Sequence, residues 1–175
     1  MKIVDVECLI LDRQFPFVRV YTDEGLVGIG ECFRRLPHAV KAVVDSNLKP
    51  VLLNTDPLDT EVRWQDMYRA ASAIDMGGTV YCAIAGLDIA LWDLYGKALG
   101  EPVWRLLGGA SDRAHAYADG IGYNTNLSPQ GVSDLVKKHA DLGYNIVKFH
   151  TTHRDFEGAV QKVKLSRERV GPDVR

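Results

Sequence analysis

The chain has 175 residues, of which 46% are hydrophobic and 25% are charged, the ordinary proportions of a soluble globular protein. A net charge of −2 and a pI near 6.2 give no electrostatic reason to expect nucleic acid or an anionic membrane as a partner. No apolar run approaches the ~18 residues of a membrane span, and acidic residues near the N-terminus argue against a signal peptide. Three widely spaced cysteines without a CxxC pattern indicate no disulfide framework and favour a reducing cytoplasm.

The first third of the chain has the pattern of a small antiparallel sheet. Residues 2–11 predict a strand, and the proline-containing stretch Asp12–Phe17 predicts a loop. Residues 18–31 predict a β-hairpin, because β-forming residues flank a turn that ends in Gly25.

Glycines at positions 25, 28 and 30 superficially resemble a dinucleotide-binding loop. That loop requires a helix directly after its last glycine, within a βαβ unit, and neither follows Gly30. We therefore interpret these glycines as turn and strand-packing residues.

Three helices are predicted next. Apolar residues at helical spacing predict the first, from about Ala39, with Pro50 as its end. Asp56 followed by Pro57 predicts the start of the second helix. A sheet followed by helices is the arrangement of an α+β domain.

The third helix is apolar around most of its circumference and is predicted to be buried, with Thr79 as its cap and Gly100 as its end. Its predicted solvent-facing stripe contains Gly86 and an ion pair between Asp93 and Lys97. Asp88 lies on the opposite side, where a buried carboxylate needs hydrogen-bond partners; its predicted neighbours are Ile84, Trp92, Tyr95 and Leu99.

The pattern changes to strand, helix, strand and helix after residue 111. Strands are predicted at 114–120 and 145–150, and helices begin at Ser128-Pro129 and near Asp155. Connections of this length make the two strands parallel, with a right-handed crossover. A two-stranded parallel sheet leaves faces and an edge uncovered, so we expect further strands beyond this sequence.

Three segments resemble a known family: VYTDEGLVGIGE (20–31), AIAGLDIALWDLYGKALGEPVWRLLGG (83–109) and GYNIVKFH (143–150). They are closely similar to the mandelate racemase and muconate lactonizing branch of the enolase superfamily. The resemblance implies an α+β capping domain over residues 1–111, in which a three-stranded antiparallel meander precedes helices. Residues 112–175 would then form the first two β/α units of an incomplete TIM-type (β/α) barrel. We expect a cytoplasmic homo-oligomer without nucleic-acid or membrane partners.

Lys148 and His150 are the candidate catalytic residues. Residues two apart on a strand point to the same face, and both lie at the C-terminal end of a predicted strand, where barrels place their active sites. From the residues alone, a solvated pair at a strand end is the simpler interpretation. In the family, this strand ends in Lys-x-Lys, and one lysine abstracts the proton α to a substrate carboxylate. Lys148 matches the first lysine, and His150 stands in place of the second.

The resemblance implies an enzyme that abstracts a proton from a small carboxylate. The change from lysine to histidine at position 150 argues against a racemase, and acid-sugar dehydratases of the family can take the proton from the opposite face with a histidine of a later strand, so a sugar-acid dehydratase is favoured. A neutral imidazole can act as a base near neutral pH, but racemisation needs an acid/base on each face of the carbon. A racemase, epimerase or cycloisomerase of the same superfamily remains an alternative. A truncated, non-catalytic capping or binding module is a further one.

The family binds a divalent metal through carboxylates at the ends of the third, fourth and fifth barrel strands. Residues 171–175 correspond to the linker before the third strand, so the resemblance implies Mg²⁺ in a full-length protein and no metal site in this chain. His150 and His153 have a spacing seen in metal sites, but two ligands are too few to indicate zinc.

Two mobile loops of the capping domain select the substrate in the family, and they correspond to Asp12–Phe17 and Cys32–His38. The candidate substrate-binding residues in these loops are Arg13, Phe15, Arg34 and Arg35. Guanidinium groups there could bind a carboxylate or a polyol, although each arginine is also compatible with an ordinary solvated surface position.

Overall fold

The computed structural model describes residues 1–72, 77–121, 127–151 and 155–175. The chain divides into two compact units, Met1–Asp112 and Arg113–Arg175, and each is considered by itself. In the described ranges, no helix combines the length and the apolar character that crossing a membrane requires.

The first unit begins with a three-stranded antiparallel sheet, as predicted. Its strands, in the order β1-β2-β3, are β1 (Ile3–Leu11), β2 (Phe15–Thr22) and β3 (Val27–Glu31). The turn of the β2-β3 hairpin contains Gly25 at φ +82, a conformation that glycine adopts without strain. The predicted hairpin is therefore confirmed.

The predicted loop Asp12–Phe17 is too long. Only Asp12, Arg13 and Gln14 form the turn, whereas Phe15 already belongs to β2. Pro16 lies opposite Ile10 of β1 and precedes the first residue that β2 pairs with β3, so its missing N–H costs little. Proximity to the strand end explains why proline does not break this strand.

Helices cover the sheet, and their bounds differ from the predicted ones. They are α1 (Pro37–Val43), which continues through a π-helical turn (Val44–Leu48) into α2 (Lys49–Leu52), then α3 (Thr60–Ser72), α4 (Thr79–Leu99) and α5 (Val103–Leu106). Pro50 does not end the first helix, because it stands in the first turn of α2, where a missing N–H is tolerated. Asp56 does not begin α3; its carboxylate accepts a 3.0 Å hydrogen bond from the Leu58 N–H within the preceding turn.

The long helix α4 forms the centre of the first core. Thr79 is its first residue, and Gly78 at φ +55 occupies the cap position that was predicted for Thr79. Gly86 is buried rather than solvent-facing, because a Cβ there would lie 2.1 Å from the Cys32 Sγ. The most deeply buried large side chains of α4 are Ile84, Leu87, Leu91 and Leu94.

Two glycines of β3 allow α4 to approach the sheet closely. A Cβ at Gly28 would lie 2.1 Å from the Ala90 carbonyl oxygen, and one at Gly30 would lie 2.0 Å from the Gly86 carbonyl oxygen. No other residue fits at this distance, so the strand-packing interpretation of these glycines is confirmed.

The predicted ion pair between Asp93 and Lys97 is confirmed, with 2.6 Å between Oδ2 and Nζ. The pair also closes the outer edge of β3. Asp93 accepts a 2.9 Å hydrogen bond from the Ile29 N–H, and Lys97 donates a 2.7 Å hydrogen bond to the Val27 carbonyl. Backbone groups that an edge strand leaves open are thus bound by side chains of α4.

The second unit has the predicted order of strand, helix, strand and helix. Its elements are β4 (Ala118–Ile121), α6 (Pro129–Asp141), β5 (Val147–Phe149) and α7 (Phe156–Val170). β4 and β5 are parallel, and their apolar residues pack against α6. Ser128 and Asp155 cap the two helices by accepting hydrogen bonds from the Gly131 and Gly158 N–H groups, at 3.0 and 2.7 Å. Both predicted helix starts are therefore confirmed.

Candidate active site

The two predicted catalytic residues lie at the C-terminal end of β5. Val147 and Phe149 pack into the core on the helix side of the sheet, so Lys148 between them projects from the opposite face. The His150 N–H donates a 2.8 Å hydrogen bond to the Ile121 carbonyl, so the extended pairing with β4 continues one residue beyond β5. Strand alternation would place the His150 side chain on the same face as Lys148, and its Nε2 is buried.

An irregularity in β4 brings a carboxylate to Lys148. Ala118 lies opposite Val147 and Ile121 opposite Phe149, so β4 contains one more residue than β5 over this interval. Such a bulge redirects side chains, and it is accommodated here by Gly120 at φ +90. The Asp119 Oδ2 lies 3.1 Å from the Lys148 Nζ.

Asp119 is not among the residues predicted from the sequence. The available signal is an acidic residue followed by glycine at the end of the predicted strand 114–120, next to the strand that carries Lys148. Carboxyl ends of neighbouring parallel strands meet at one edge of a sheet, so pairing the two strand ends would have identified it.

The electrostatics of this group favour a charged Asp119. Its pKa is held below the ordinary value chiefly by the hydrogen bond from the Gly120 N–H, at 2.6 Å, and then by the hydrogen bond from Lys148. The positive charge of Lys148 lowers this pKa further. The Lys148 Nζ also lies 6.0 Å from the centroid of the Tyr117 ring. We call Tyr117, Asp119, Lys148 and His150 the strand-end cluster.

The strand-end cluster combines an ammonium and a carboxylate that are partly exposed with an imidazole whose Nε2 is buried. The Lys148 and Asp119 side chains retain 49% and 36% of their exposure, so a ligand could reach both of them. A cation next to an imidazole can hold an anionic group while a proton is transferred nearby. This arrangement is thus suited to acid–base chemistry on a small anion.

The described residues do not form a site for a divalent metal. Within residues 1–72, 77–121, 127–151 and 155–175, no three histidine, cysteine, aspartate or glutamate side chains are grouped as metal ligands. His153, the second residue of the histidine pair, lies outside the described residues.

The predicted substrate-binding residues belong to the first unit. Arg13 is exposed in the turn between β1 and β2 at φ +59, and Phe15 begins β2. The Arg34 guanidinium carbon lies 5.9 Å from the centroid of the Phe15 ring, within reach of a cation–π interaction. Arg35 is exposed in the segment before α1. The structure thus brings Phe15 and Arg34 together, each from a different predicted loop.

Curated proteins similar to this chain include two sugar-acid dehydratases. The arabinonate dehydratase of Saccharolobus solfataricus is 31% identical over 157 residues, which are 89% of this chain and 42% of that protein. The D-galactonate dehydratase of Verminephrobacter eiseniae is 37% identical over 185 aligned positions, covering 99% of this chain and 47% of that protein. The chain thus spans somewhat less than half the length of either relative.

Solved structures show the same architecture. The 3,6-anhydro-D-galactonate cycloisomerase of Zobellia galactanivorans superimposes with a TM-score of 0.87 at 28% identity, over 100% of this chain and 50% of that chain. A member of the enolase superfamily from Polaromonas sp. JS666 gives a TM-score of 0.85 at 27% identity, over 99% of this chain and 50% of that chain. The α+β fold joined to the first part of a barrel is therefore confirmed.

Residues 10–108 match the sequence profile of the mandelate racemase / muconate lactonizing enzyme N-terminal domain. This match covers β2, β3 and all of the helices of the first unit, together with the end of β1. The chain therefore belongs to the mandelate racemase / muconate lactonizing enzyme family of the enolase superfamily.

Proposed function

We propose that this chain is the N-terminal part of an enzyme that removes the proton α to the carboxylate of a sugar acid and then eliminates water. The single observation that carries the proposal is the strand-end cluster, in which Lys148, paired with Asp119, and His150 follow one another at the C-terminal end of a strand in a parallel sheet. The relatives that are named arabinonate and D-galactonate dehydratases support the reaction class and the substrate class.

The two residues have different roles in this proposal. The Lys148 ammonium binds the substrate carboxylate and compensates the charge that develops on it. A ring nitrogen of neutral His150 accepts the α-proton, and the electron pair of the broken C–H bond moves toward the carboxylate. The C–O bond to the neighbouring carbon then breaks as the electron pair held by the deprotonated substrate forms the new C=C bond, and the leaving hydroxide takes the proton from His150, so that one water is lost.

Substrate selection is assigned to the capping part, over residues 1–111, and proton transfer to residues 112–175. Arg34 is the best-supported substrate contact, because the Phe15 ring holds its planar guanidinium by a cation–π interaction. Arg13 and Arg35 complete the proposed set as exposed hydrogen-bond donors to a carboxylate or a polyol. Phe15 itself contributes an apolar surface.

Family membership supports Mg²⁺ as the cofactor of a longer protein, where it would stabilise the negative charge of the deprotonated substrate. Because the described residues form no ligand set, its ligands are proposed to lie outside them. We further propose a cytoplasmic homo-oligomer, and the free thiols of Cys8, Cys32 and Cys82 are consistent with a reducing compartment.

One alternative is a racemase, an epimerase or a cycloisomerase, and the structural similarity to a cycloisomerase favours it. All of these reactions begin with the same proton removal, so they differ only in the steps after it. The second alternative is a non-catalytic capping or binding module.

The test uses the protein expressed from its complete reading frame. It is incubated with Mg²⁺ and a panel of aldonic acids, and the 2-keto-3-deoxy product of dehydration is measured. We expect turnover of at least one acid, and a loss of about 100-fold in kcat for Lys148→Met and for His150→Asn. The matched control is Lys137→Met, which removes an exposed lysine paired with Asp141 on α6.

No turnover of any acid would contradict the dehydratase, and Lys148→Met or His150→Asn enzymes as active as the control would contradict the assigned site. Scrambling of configuration at the α-carbon, without loss of water, would favour the racemase or epimerase instead. An unsaturated or ring-opened isomer of a cyclic substrate would favour the cycloisomerase.

A further inference from the structure

The contact between Asp119 and Lys148 depends on the local shape of β4. The extra residue of β4 and the positive φ of Gly120 turn the Asp119 side chain toward β5. Its Oδ1 accepts the Gly120 N–H at 2.6 Å, which leaves Oδ2 to accept from Lys148 at 3.1 Å. One carboxylate oxygen is therefore fixed by the backbone, and the other is presented to the ammonium.

Lys148 needs such a partner if its position is to be defined. A lysine ammonium sits on a flexible four-carbon chain and has no preferred direction of its own. The Tyr117 ring lies near Nζ, but a ring face does not fix the direction of a cation as a hydrogen-bond acceptor does. Asp119 supplies a directional contact.

Asp119 is unsuited to bind the substrate directly. It carries a negative charge, and a carboxylate substrate would be repelled by it. Its contribution at the carboxylate end of a sugar acid therefore passes through the cation that it contacts.

We infer that Asp119 is a positioning residue that holds the Lys148 ammonium beside His150 at the end of β5. This inference rests on the proposed function, because it assigns Lys148 a task at that site. It identifies the β4 bulge as the structural feature that determines where the substrate carboxylate is held.

The first experiment tests the contact in the 175-residue chain without any assay of activity. The Asp119 side-chain carboxyl is followed by ¹³C NMR through an acid titration. Because Lys148 helps to lower the pKa of Asp119, the Lys148→Met variant raises its midpoint toward the ordinary value. The control variant Lys137→Met, which removes the partner of Asp141 on α6, leaves the midpoint unchanged.

The second experiment is a double-mutant cycle in the protein expressed from its complete reading frame. Asp119→Asn retains an oxygen for the Gly120 N–H but loses the charge, and we expect about a fivefold loss of kcat/KM, which matches a partly exposed ion pair. In the Lys148→Met background the same change has no further effect, because the residue acts through Lys148. Asp119→Glu restores part of the lost activity.

The two experiments separate the failure of this inference from the failure of the proposed function. An Asp119 midpoint that is unaffected by Lys148→Met overturns the inference, whatever the activity. An Asp119→Asn effect that persists in full in the Lys148→Met background also overturns it, because Asp119 then acts independently of the ammonium. Full turnover by Lys148→Met, with the NMR contact present, overturns the proposed function and leaves the ion pair a structural contact.

Discussion

Asp93 of α4 accepts a hydrogen bond from the backbone N–H of Ile29, 2.9 Å away, and so binds the outer edge of β3. Lys97 binds a carbonyl of the same edge and pairs with Asp93. Two side chains one helical turn apart thus replace the strand that would otherwise cover this edge. The helix contributes to the fold through its polar side as well as through its apolar face.

Replacement of Asp93 by alanine should destabilise the first unit by about 1 kcal/mol, since the Ile29 N–H loses its acceptor and the Lys97 ammonium loses its partner. Urea unfolding followed by tryptophan fluorescence reports on the first unit alone, because Trp64, Trp92 and Trp104 all lie within Met1–Asp112. Asp134→Ala, which breaks an ion pair with Arg169 in the second unit, is the control. Equal midpoints for Asp93→Ala and the control would show that the edge contact is not stabilising.

Gly30→Ala should lower the free energy of unfolding of the first unit by more than Asp93→Ala does. Its new Cβ would lie 2.0 Å from the Gly86 carbonyl oxygen, so β3 and α4 must separate, and overpacking of this kind costs about 1–3 kcal/mol or more. The matched control is Gly77→Ala, because a Cβ there meets nothing within 4 Å. An alanine at position 30 that leaves the urea midpoint of the first unit unchanged would contradict the close approach of helix and sheet.

Asp88 illustrates a carboxylate that is unfavourably placed at neutral pH. The sequence predicts it to be buried, but it is half-buried and lines a cleft of about 320 Å³ with Glu61, Trp64 and Trp92. Burial, and then the negative charge of Glu61, raise the pKa of Asp88 above its ordinary value. The native state therefore binds the proton of the Asp88 carboxyl group more tightly than the unfolded state does. As a result, the free energy of unfolding falls as the pH rises through the native pKa of Asp88.

Asp88→Asn should accordingly stabilise the first unit at neutral pH and leave it unchanged at pH values below the ordinary carboxyl pKa of 3.8. The gain should stay below about 1 kcal/mol because water reaches part of the group. Urea unfolding at several pH values measures the difference in free energy of unfolding between the variant and the wild type. Glu61→Gln should give part of the same stabilisation, because it removes the negative charge next to Asp88. A variant that is less stable than the wild type at neutral pH would show that Asp88 has a favourable partner.

The isolated 175-residue chain should not be stabilised by Mg²⁺. A ligand raises the Tm only when it binds the folded state, and the described residues present no ligand set for a metal. The Tm should therefore be the same in MgCl₂ and in NaCl of equal ionic strength. A Tm that rises steadily with Mg²⁺ concentration would place a metal site in this chain.

The sequence is sufficient for features that local chemistry determines. The β2-β3 hairpin follows from its turn residues, the Ser128 cap from its hydroxyl and the following proline, and the pair of Asp93 and Lys97 from helical spacing. Each of these depends on residues within a few positions of one another.

Sequence-based predictions fail where distant residues decide the outcome. The helical wheel places Gly86 toward solvent, but it is buried because Cys32 packs against it. Pro50 and Pro16 have the pattern of breakers, yet both stand near the start of an element, where a missing N–H is tolerated. Asp119 is not predicted, because a bulge in β4, rather than the spacing of residues within one strand, brings its carboxylate to Lys148.

The central claim is that His150 removes the α-proton of a sugar acid, and the most direct measurement is release of deuterium from C2-deuterated D-galactonate or arabinonate. The control is His115→Asn, which replaces an exposed imidazole whose Nε2 lies 3.3 Å from the Asn145 Oδ1. This control and the protein expressed from its complete reading frame should both release the label from at least one of these acids. His150→Asn should release it about 100-fold more slowly. Equal release by His150→Asn and the control would contradict the account.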